Sequence, residues 1–399
     1  MVLETLLEDG GGEEITEGGH LVGVRRPDGG EITLEMGCAV EYSTRAGGHG
    51  SVVEAIEHAE RELPRVARAA ARVGVAVLPG AMLPFTPMSE VPWLPKPRVQ
   101  IMRDFFRGLG DAGSLADGVM GLTLSTQTSL DHTSEADLRE KLRMQAAVSP
   151  VLSALFVNSP VENGRPTGAL SRRMQFWRKI DPARCGVLPF ALNDGLLADE
   201  VVEWALDLPV IYRKTAEGYR PGDSGRSFRR ILESGFADGR MPSDEDWLLH
   251  LSQTWPQVRV RKTLELRAWD GLTWPDFGAA PALWTGLTYD KDARNAAWEL
   301  LSGFTLADME RATDDVAVSG LRATVADTPV TELAATLLKL AEQGLAARVR
   351  SGLEKEKVLS YLGPLWEILD SGITPAERLL ARWDDELRHP DAYVRAYQI

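Results

Sequence analysis

The chain has 399 residues, 44% of them hydrophobic, which is enough for one large core or two closely packed domains. Its 58 acidic and 44 basic side chains give a formal net charge of −14, which argues against nucleic acid or an anionic membrane as the main partner. There are two cysteines, Cys38 and Cys185, without metal or redox spacing. The N-terminus carries no signal core, and no apolar run approaches the ~18 residues of a membrane span. We therefore expect a reduced, cytoplasmic protein.

The first residues, 1–19, predict a short amphipathic turn and then a flexible, glycine-rich acidic stretch. A hairpin is predicted next, in HLVGVRRPDGGEITLE, around Pro-Asp-Gly-Gly. Apolar and polar residues then alternate on both sides of Met36-Gly37, which places Glu35 and Glu41 on one polar sheet face. Two carboxylates on one face suit a hard cation such as Mg²⁺, and solvated acids on an ordinary amphipathic strand are the alternative.

The middle of the chain mixes helical and irregular patterns. Residues 52–73 predict an amphipathic helix that Pro64 kinks or divides, and VGVAVLP follows as a buried strand candidate. The proline-rich segment 82–97 is either part of a site or a surface linker. Residues 119–130 have a β-rich composition around Gln127, and Ser134 with Asp137 predicts the start of a helix.

Two later stretches concentrate arginine. Residues 158–186 hold five arginines beside Trp177, either to bind carboxylate and phosphate or to pair with surplus acids. Residues 258–270 predict one strand with a bulge at Lys262, in which Glu265 and Arg267 share a face. That pair offers one group to a cation and one to an anion, as a nucleotide–metal site needs. From Tyr289 onward the pattern is mainly helical, and Thr374, Pro375 and Glu377 predict a helix start with a capping box.

The chain resembles the plant-type glutamate–cysteine ligases, a family of carboxylate–amine ligases. The resemblance is collinear over nearly the whole length, and its most specific stretch is residues 154–190, ALFVNSPVENGRPTGALSRRMQFWRKIDPARCGVLPF. It implies a glutamine-synthetase-like α+β fold, with a curved antiparallel sheet, packed helices and a mostly helical C-terminal third. We expect a single domain over 1–399, with a sheet-bearing catalytic part at 20–290 and a helical part at 291–399.

The resemblance also implies an activity and its residues. The family phosphorylates the side-chain carboxylate of glutamate with ATP, and the amine of cysteine then displaces phosphate, with Mg²⁺ and arginine as stabilisers. By this resemblance the expected metal-site residues are Glu35, Glu41, Gln127 and Glu265. The expected substrate or phosphate contacts are Arg173, Trp177 and Arg267, with Tyr212 and Arg213 as weaker matches and Arg173 and Arg267 as the catalytic pair. The expected form is a monomer or homodimer.

The sequence also departs from the family pattern. A strand with a Gly-x-Glu-x-Glu motif, which supplies two further metal carboxylates, would belong before Met1. Leu122 stands where a substrate-binding arginine is expected, and Thr263 stands in place of a tyrosine. Three hypotheses follow: an active glutamate–cysteine ligase, a ligase that joins glutamate to a different amine, or a non-catalytic homologue. Cys38 is expected to be a small buried residue, and His132 and His250 to be capping or core histidines.

Overall fold

The protein is described here from a computed structural model that covers residues 1–10, 12–45, 50–193, 195, 198–223 and 225–399. It is a mixed α+β structure with antiparallel sheets and a helical C-terminal region, as the sequence predicted. In this part of the chain, none of the helices combines the length and the apolar character required to cross a bilayer.

The helices are α1 Val2–Glu8, α2 Val52–Arg72, α3 Pro97–Gly108, α4 Ala116–Leu122, α5 Glu135–Leu152, α6 Arg172–Arg178, α7 Ala198–Asp207, α8 Phe228–Ser234, α9 Asp244–Leu251, α10 Ala279–Tyr289, α11 Lys291–Leu301, α12 Leu306–Ser319, α13 Val330–Arg350, α14 Gly363–Ser371, α15 Pro375–Ala381 and α16 Pro390–Tyr397. The strands are β1 Glu13–Glu17, β2 His20–Arg25, β3 Glu31–Leu34, β4 Val40–Ser43, β5 Thr128–Leu130, β6 Val161–Glu162, β7 Arg165–Pro166, β8 Cys185–Gly186, β9 Tyr212–Thr215, β10 Gly218–Pro221, β11 Trp255–Pro256, β12 Val258–Val260, β13 Leu264–Leu266, β14 Thr324–Val325 and β15 Thr328–Pro329.

A four-stranded antiparallel sheet in the order β1-β2-β3-β4 lies near the N-terminus. The predicted hairpin between β2 and β3 is confirmed, and Gly29 takes the positive φ that its tight turn requires. The prediction of a flexible stretch before it was wrong, because Glu13–Glu17 pairs with β2 as an edge strand. Glycine-rich flanks hid this strand, which gains its hydrogen bonds only from its neighbour.

A second antiparallel sheet, in the order β12-β13-β5, contains the arginines of the stretch 258–270. The prediction of one bulged strand over 258–270 was wrong: β12 and β13 are the two arms of a hairpin, and the Arg261 amide donates to the Thr263 carbonyl at its turn. Arg259 therefore lies directly opposite Glu265. Residues 119–130 also differ from the prediction, because α4 occupies Ala116–Leu122 and only Thr128–Leu130 is a strand.

Helix α2 runs unbroken through Pro64, which therefore does not divide it. The buried carboxylate of Glu354 accepts hydrogen bonds from the Ser51 hydroxyl and the Val52 amide, and so caps α2 from the C-terminal region. The segment VGVAVLP after α2 has no strand structure, and Val75 is exposed, so that prediction was wrong. An apolar run without a pairing strand beside it does not form a sheet.

The largest core joins α5 and the residues that follow it to the helices of the C-terminal half, and it includes Leu266 of β13. Trp269 stacks between Phe156 and Trp284, at ring centroid distances of 4.2 Å and 4.6 Å. Burial of each large apolar side chain contributes roughly 1.5–3 kcal/mol. The predicted N-caps at Ser134 and Thr374 are confirmed, and Glu377 completes the capping box at Thr374. This helical core is the base on which the second sheet rests.

Both cysteines are free thiols, and Cys38 is half-buried with its Sγ donating to the Pro92 carbonyl at 2.7 Å. His250 is a core histidine, as predicted: it stacks on Phe228, and burial lowers its pKa to about 4.

Candidate active site

The turn between β3 and β4 brings two predicted metal-site residues to one sheet face. Glu35 follows β3 and Glu41 lies in β4, and the Glu35 amide donates to the Ala39 carbonyl to close the turn. A Cβ at Gly37 would lie 2.4 Å from the Gly121 carbonyl oxygen, so this turn packs against α4 only with glycine there. The alternation that predicted a shared face is confirmed, since Val40 and Tyr42 are partly buried while Glu41 and Ser43 are exposed.

The surroundings of Glu41 disfavour its charged form. Although its side chain reaches solvent, desolvation by the surrounding protein raises its pKa, and the charges of Glu35 and then Glu265 raise it further, while a hydrogen bond from Ser43 lowers it. Repulsion between the acids therefore outweighs that hydrogen bond, and a cation beside them would relieve it.

Glu265 reaches the same region from the second sheet. Its carboxylate accepts hydrogen bonds from Arg259 at 2.5 Å and from Arg267 at 3.2 Å. Burial would raise the pKa of Glu265, but Arg267, Arg259 and Arg261 outweigh it and lower the pKa to about 2. Glu265 is therefore a fixed negative charge that two arginines already hold.

Arg267 and Trp177 form the next layer of the site. The guanidinium of Arg267 lies 5.2 Å from the centre of the Trp177 ring, at cation–π distance. Burial lowers the pKa of Arg267 to about 10, so it stays charged at neutral pH. The indole Nε1 of Trp177 is buried without a hydrogen-bond partner among the described residues, which leaves a donor for a bound molecule.

Arg173 lies in the first turn of α6 and is 2% exposed. Its guanidinium donates to the carbonyls of Arg267 and Ala268 at 3.1 Å and 3.2 Å, and it lies 3.8 Å from Asp270. It thus anchors the backbone that carries Arg267. A direct contact between Arg173 and substrate stays a prediction.

The remaining predicted site residues are Gln127, Tyr212 and Arg213. Gln127 directly precedes β5, in line with Arg267 across the sheet, and its exposed amide donates to Ser125. Tyr212 is buried, and its hydroxyl interacts with Arg98 and Ser252. Arg213 lies on the opposite face of β9, where Asp223 and Asp238 bind it, so the structure does not bring it to the site.

The family departures also have positions in the structure. Leu122 ends α4 and is 2% exposed within an apolar cluster that includes Phe106 and Phe176. Thr263 lies in the turn between β12 and β13. Leu122 is therefore a core residue. It packs against apolar side chains, where the family pattern has an arginine that binds substrate.

Three charged residues of the site were missed by the sequence analysis. Glu17 ends β1, Lys96 lies near the end of the proline-rich segment, and Arg98 lies in the first turn of α3. Arg98 lies 3.6 Å from Glu17, and both Glu17 and Glu35 act on its charge. The end of the proline-rich segment thus belongs to the site and is not a surface linker. In the sequence, only Pro97 indicated where this segment ends and α3 begins.

The carboxylates are neighbours, but they do not converge on one point. Among the residues that the structure describes, no three His, Cys, Asp or Glu side chains are close enough together to hold a metal ion. Among the described ion pairs, none joins an arginine to Glu35 or Glu41. Their oxygens are therefore available as ligands, and carboxylate oxygens suit Mg²⁺.

Comparison with known proteins gives a consistent result. A family model described as glutamate-cysteine ligase family 2 matches residues 10–395. A chloroplastic glutamate–cysteine ligase of Brassica juncea is 33% identical over 384 residues, which cover 94% of this chain and 71% of that protein. The enzyme of the same name from Arabidopsis thaliana is 33% identical over 380 residues, 94% of this chain and 70% of that protein. Glutamate–cysteine ligase B of Oryza sativa subsp. japonica is 32% identical over 385 residues, 95% and 74%.

Proposed function

Because the chain belongs to glutamate-cysteine ligase family 2, we propose that it forms γ-glutamylcysteine from glutamate and cysteine with ATP and Mg²⁺. ATP would phosphorylate the γ-carboxylate of glutamate, and the amine of cysteine would displace phosphate from that acyl phosphate. The same proposal includes a glutamine-synthetase-like arrangement, in which the two antiparallel sheets together form the curved surface that presents the carboxylates.

Glu35 and Glu41 are the residues that fit a magnesium ion best, since they offer hard oxygen donors and repel each other without one. Gln127 and Glu265 would complete the metal-binding surface from the second sheet. Mg²⁺ supplies charge neutralisation for transferring phosphoryl oxygens when it is bound.

The arginines and Trp177 have complementary tasks in this proposal. Arg267 holds a permanent positive charge, fixed by Glu265 and by the face of Trp177, where negative charge develops on the phosphoryl group. The free Nε1–H of Trp177 would donate to an oxygen of the substrate. Arg173 keeps the Arg267 backbone in place, and Tyr212 would line the substrate pocket beside Arg98.

One observation carries the proposal: two sheets that are far apart in sequence bring Glu35, Glu41 and Glu265 within electrostatic range of one another, next to Arg267. Such a mixture of acidic and basic groups binds both a cation and the anionic phosphates that the cation accompanies.

Product analysis tests the proposal directly. The purified chain is incubated with ATP, Mg²⁺, glutamate and a panel of amino acids, and the γ-glutamyl products and ADP are quantified. We expect γ-glutamylcysteine above all other products. A different γ-glutamyl product would show that another amino acid, not cysteine, is the amine substrate. The absence of ADP with every amine would support a non-catalytic homologue. Location in the cytoplasm, a monomeric or dimeric state and a single domain stay predictions.

A further inference from the structure

Asp270 is a buried acid that the proposed chemistry does not use. It is 1% exposed, and both oxygens of its carboxyl group accept hydrogen bonds. One oxygen accepts from the Asn158 amide at 2.8 Å and from the Ser159 hydroxyl at 2.7 Å. The other oxygen accepts from the Ser171 hydroxyl at 2.9 Å. Asp270 therefore joins three positions of the 158–171 stretch to the segment that follows β13.

The two serine hydroxyls connect Asp270 to the start of α6. Ser171 is the N-cap of α6, and its oxygen accepts from the Met174 amide at 3.1 Å. The Ser159 oxygen accepts from the Arg173 amide, also at 3.1 Å. Because each oxygen already accepts an amide proton, each hydroxyl proton is available to Asp270. Burial raises the pKa of Asp270 although Arg173 and these donors oppose the rise, so the connection depends on hydrogen bonds rather than on a strong ion pair.

Arg173 closes the connection in the opposite direction. Its guanidinium donates to the carbonyls of Arg267 and Ala268, at 3.1 Å and 3.2 Å. Trp177 follows Arg173 by one turn of α6, and Arg267 directly follows β13. The two segments that Asp270 joins thus carry the Trp177 ring and the Arg267 guanidinium, which lie 5.2 Å apart. A shift of α6 against the end of β13 would change this distance.

We propose that Asp270 is a positioning residue, which joins the start of α6 to the segment after β13 and so holds Arg267 against Trp177. This inference rests on the proposed function, because it treats Arg267 as the group that meets the negative charge developing on the phosphoryl group. Asp270 itself contacts no substrate in this role. Its removal acts on the reaction through the position of Arg267.

Kinetics in two backgrounds test the inference. Asp270→Asn keeps the volume of the side chain but replaces one acceptor oxygen with an NH₂ donor. We expect kcat/KM for ATP to fall about 10-fold, because Arg267 is displaced from the transferring group. In an Arg267→Lys background the same change should lower kcat/KM by less than about 2-fold, because the guanidinium that Asp270 positions is already gone. An equal loss in both backgrounds, or no loss in either, would overturn the inference.

Asp246→Asn is the matched control. Asp246 is also buried, at 8% exposed, and it accepts hydrogen bonds from Arg240 and Ser243. Both substitutions should lower the midpoint of urea denaturation, but Asp246→Asn should leave kcat/KM unchanged in both backgrounds. An equal loss of kcat/KM in the two variants would show that lower stability alone causes it, and would overturn the positioning role.

Hydrogen exchange measures the connection without turnover. Asp270→Asn should speed amide exchange in peptides that cover 171–178 and 264–270, and Asp246→Asn should not. Unchanged exchange in these peptides would overturn the inference. If Asp270→Asn does not fold, Ser171→Ala takes its place, with an expected loss of about 3-fold in kcat/KM that again disappears in the Arg267→Lys background. A wild type that forms no γ-glutamylcysteine would overturn the proposed function, whereas the exchange result would still decide whether Asp270 holds the two segments together.

Discussion

The two sheets present the same side chain in opposite electrostatic states. Glu265, in the three-stranded sheet, lies between Arg259 and Arg267, and its pKa falls to about 2. Glu41, in the four-stranded sheet, is partly desolvated and lies near Glu35 and Glu265, and its pKa rises. The strands next to each glutamate set this difference, not the glutamate itself. One sheet supplies a carboxylate that is already neutralised, and the other supplies a pair that a cation would stabilise.

Removal of the Glu265 carboxylate should have the largest effect on ATP turnover and on the stability of the fold. We expect Glu265→Gln to lower ATP turnover by at least about 100-fold. It should also destabilise the fold by about 3 kcal/mol, because Arg259 and Arg267 lose their shared acceptor. Steady-state kinetics and urea denaturation measure both effects. Glu310→Gln is the control, since Glu310 is 43% exposed and lies 3.9 Å from Arg178. Wild-type turnover in Glu265→Gln would contradict the assignment.

The arginine beside Glu265 should be sensitive to shape as well as charge. Arg267→Lys keeps a positive charge but loses the planar group that faces Trp177. We expect kcat/KM to fall about 10-fold, with ATP turnover as the readout. Arg220→Lys, at an exposed position in β10, is expected to have wild-type kinetics. Equal activity in the two variants would remove Arg267 from the site.

Removal of a charge from the Glu35–Glu41 pair should raise the stability of the fold, whereas removal of the Glu265 charge should lower it. Glu41→Gln removes the repulsion with Glu35, so we expect a small gain in the free energy of unfolding of the metal-free protein, which solvent around the exposed side chain reduces. Activity should nevertheless fall, because a cation ligand is lost. Urea denaturation in the presence of a chelator, followed by the product assay, checks both. A loss of stability comparable to that of Glu265→Gln would mean that the two sheets do not differ as described.

Acid should erase the stability difference at Glu265. Its folded-state pKa of about 2 lies below the ordinary 4.5, so its charged form stabilises the fold above 4.5 and this contribution is lost as the pH falls towards 2. We expect the difference in unfolding free energy between wild type and Glu265→Gln to be full at about pH 6 and clearly smaller at about pH 3. Urea denaturation at both values measures it. A constant difference would indicate that packing, rather than charge, holds Glu265.

The sequence predicted well where neighbours along the chain determine the structure. The Pro-Asp-Gly-Gly turn identified the β2–β3 hairpin, and Thr374 with Glu377 identified the start of α15. It failed at two short segments. Glu13–Glu17 pairs with β2 across the two-residue Gly18-Gly19 turn, a hairpin signal that the acidic, glycine-rich composition obscured, and VGVAVLP pairs with no strand among the described residues.

The candidate site divides in the same way. Alternation alone placed Glu35 and Glu41 on one face, and the collinear motifs pointed to Glu265, Arg267 and Trp177. Only the tertiary structure showed that Arg213 is bound by acids elsewhere, and that Lys96 and Glu17 belong to the site. The alternation of side chains is a local property of the backbone, whereas the charge that faces a carboxylate depends on which strands and helices pack against it. The sequence thus determined which groups are present and which faces they occupy, and the packing of the two sheets decided which of them are neutralised.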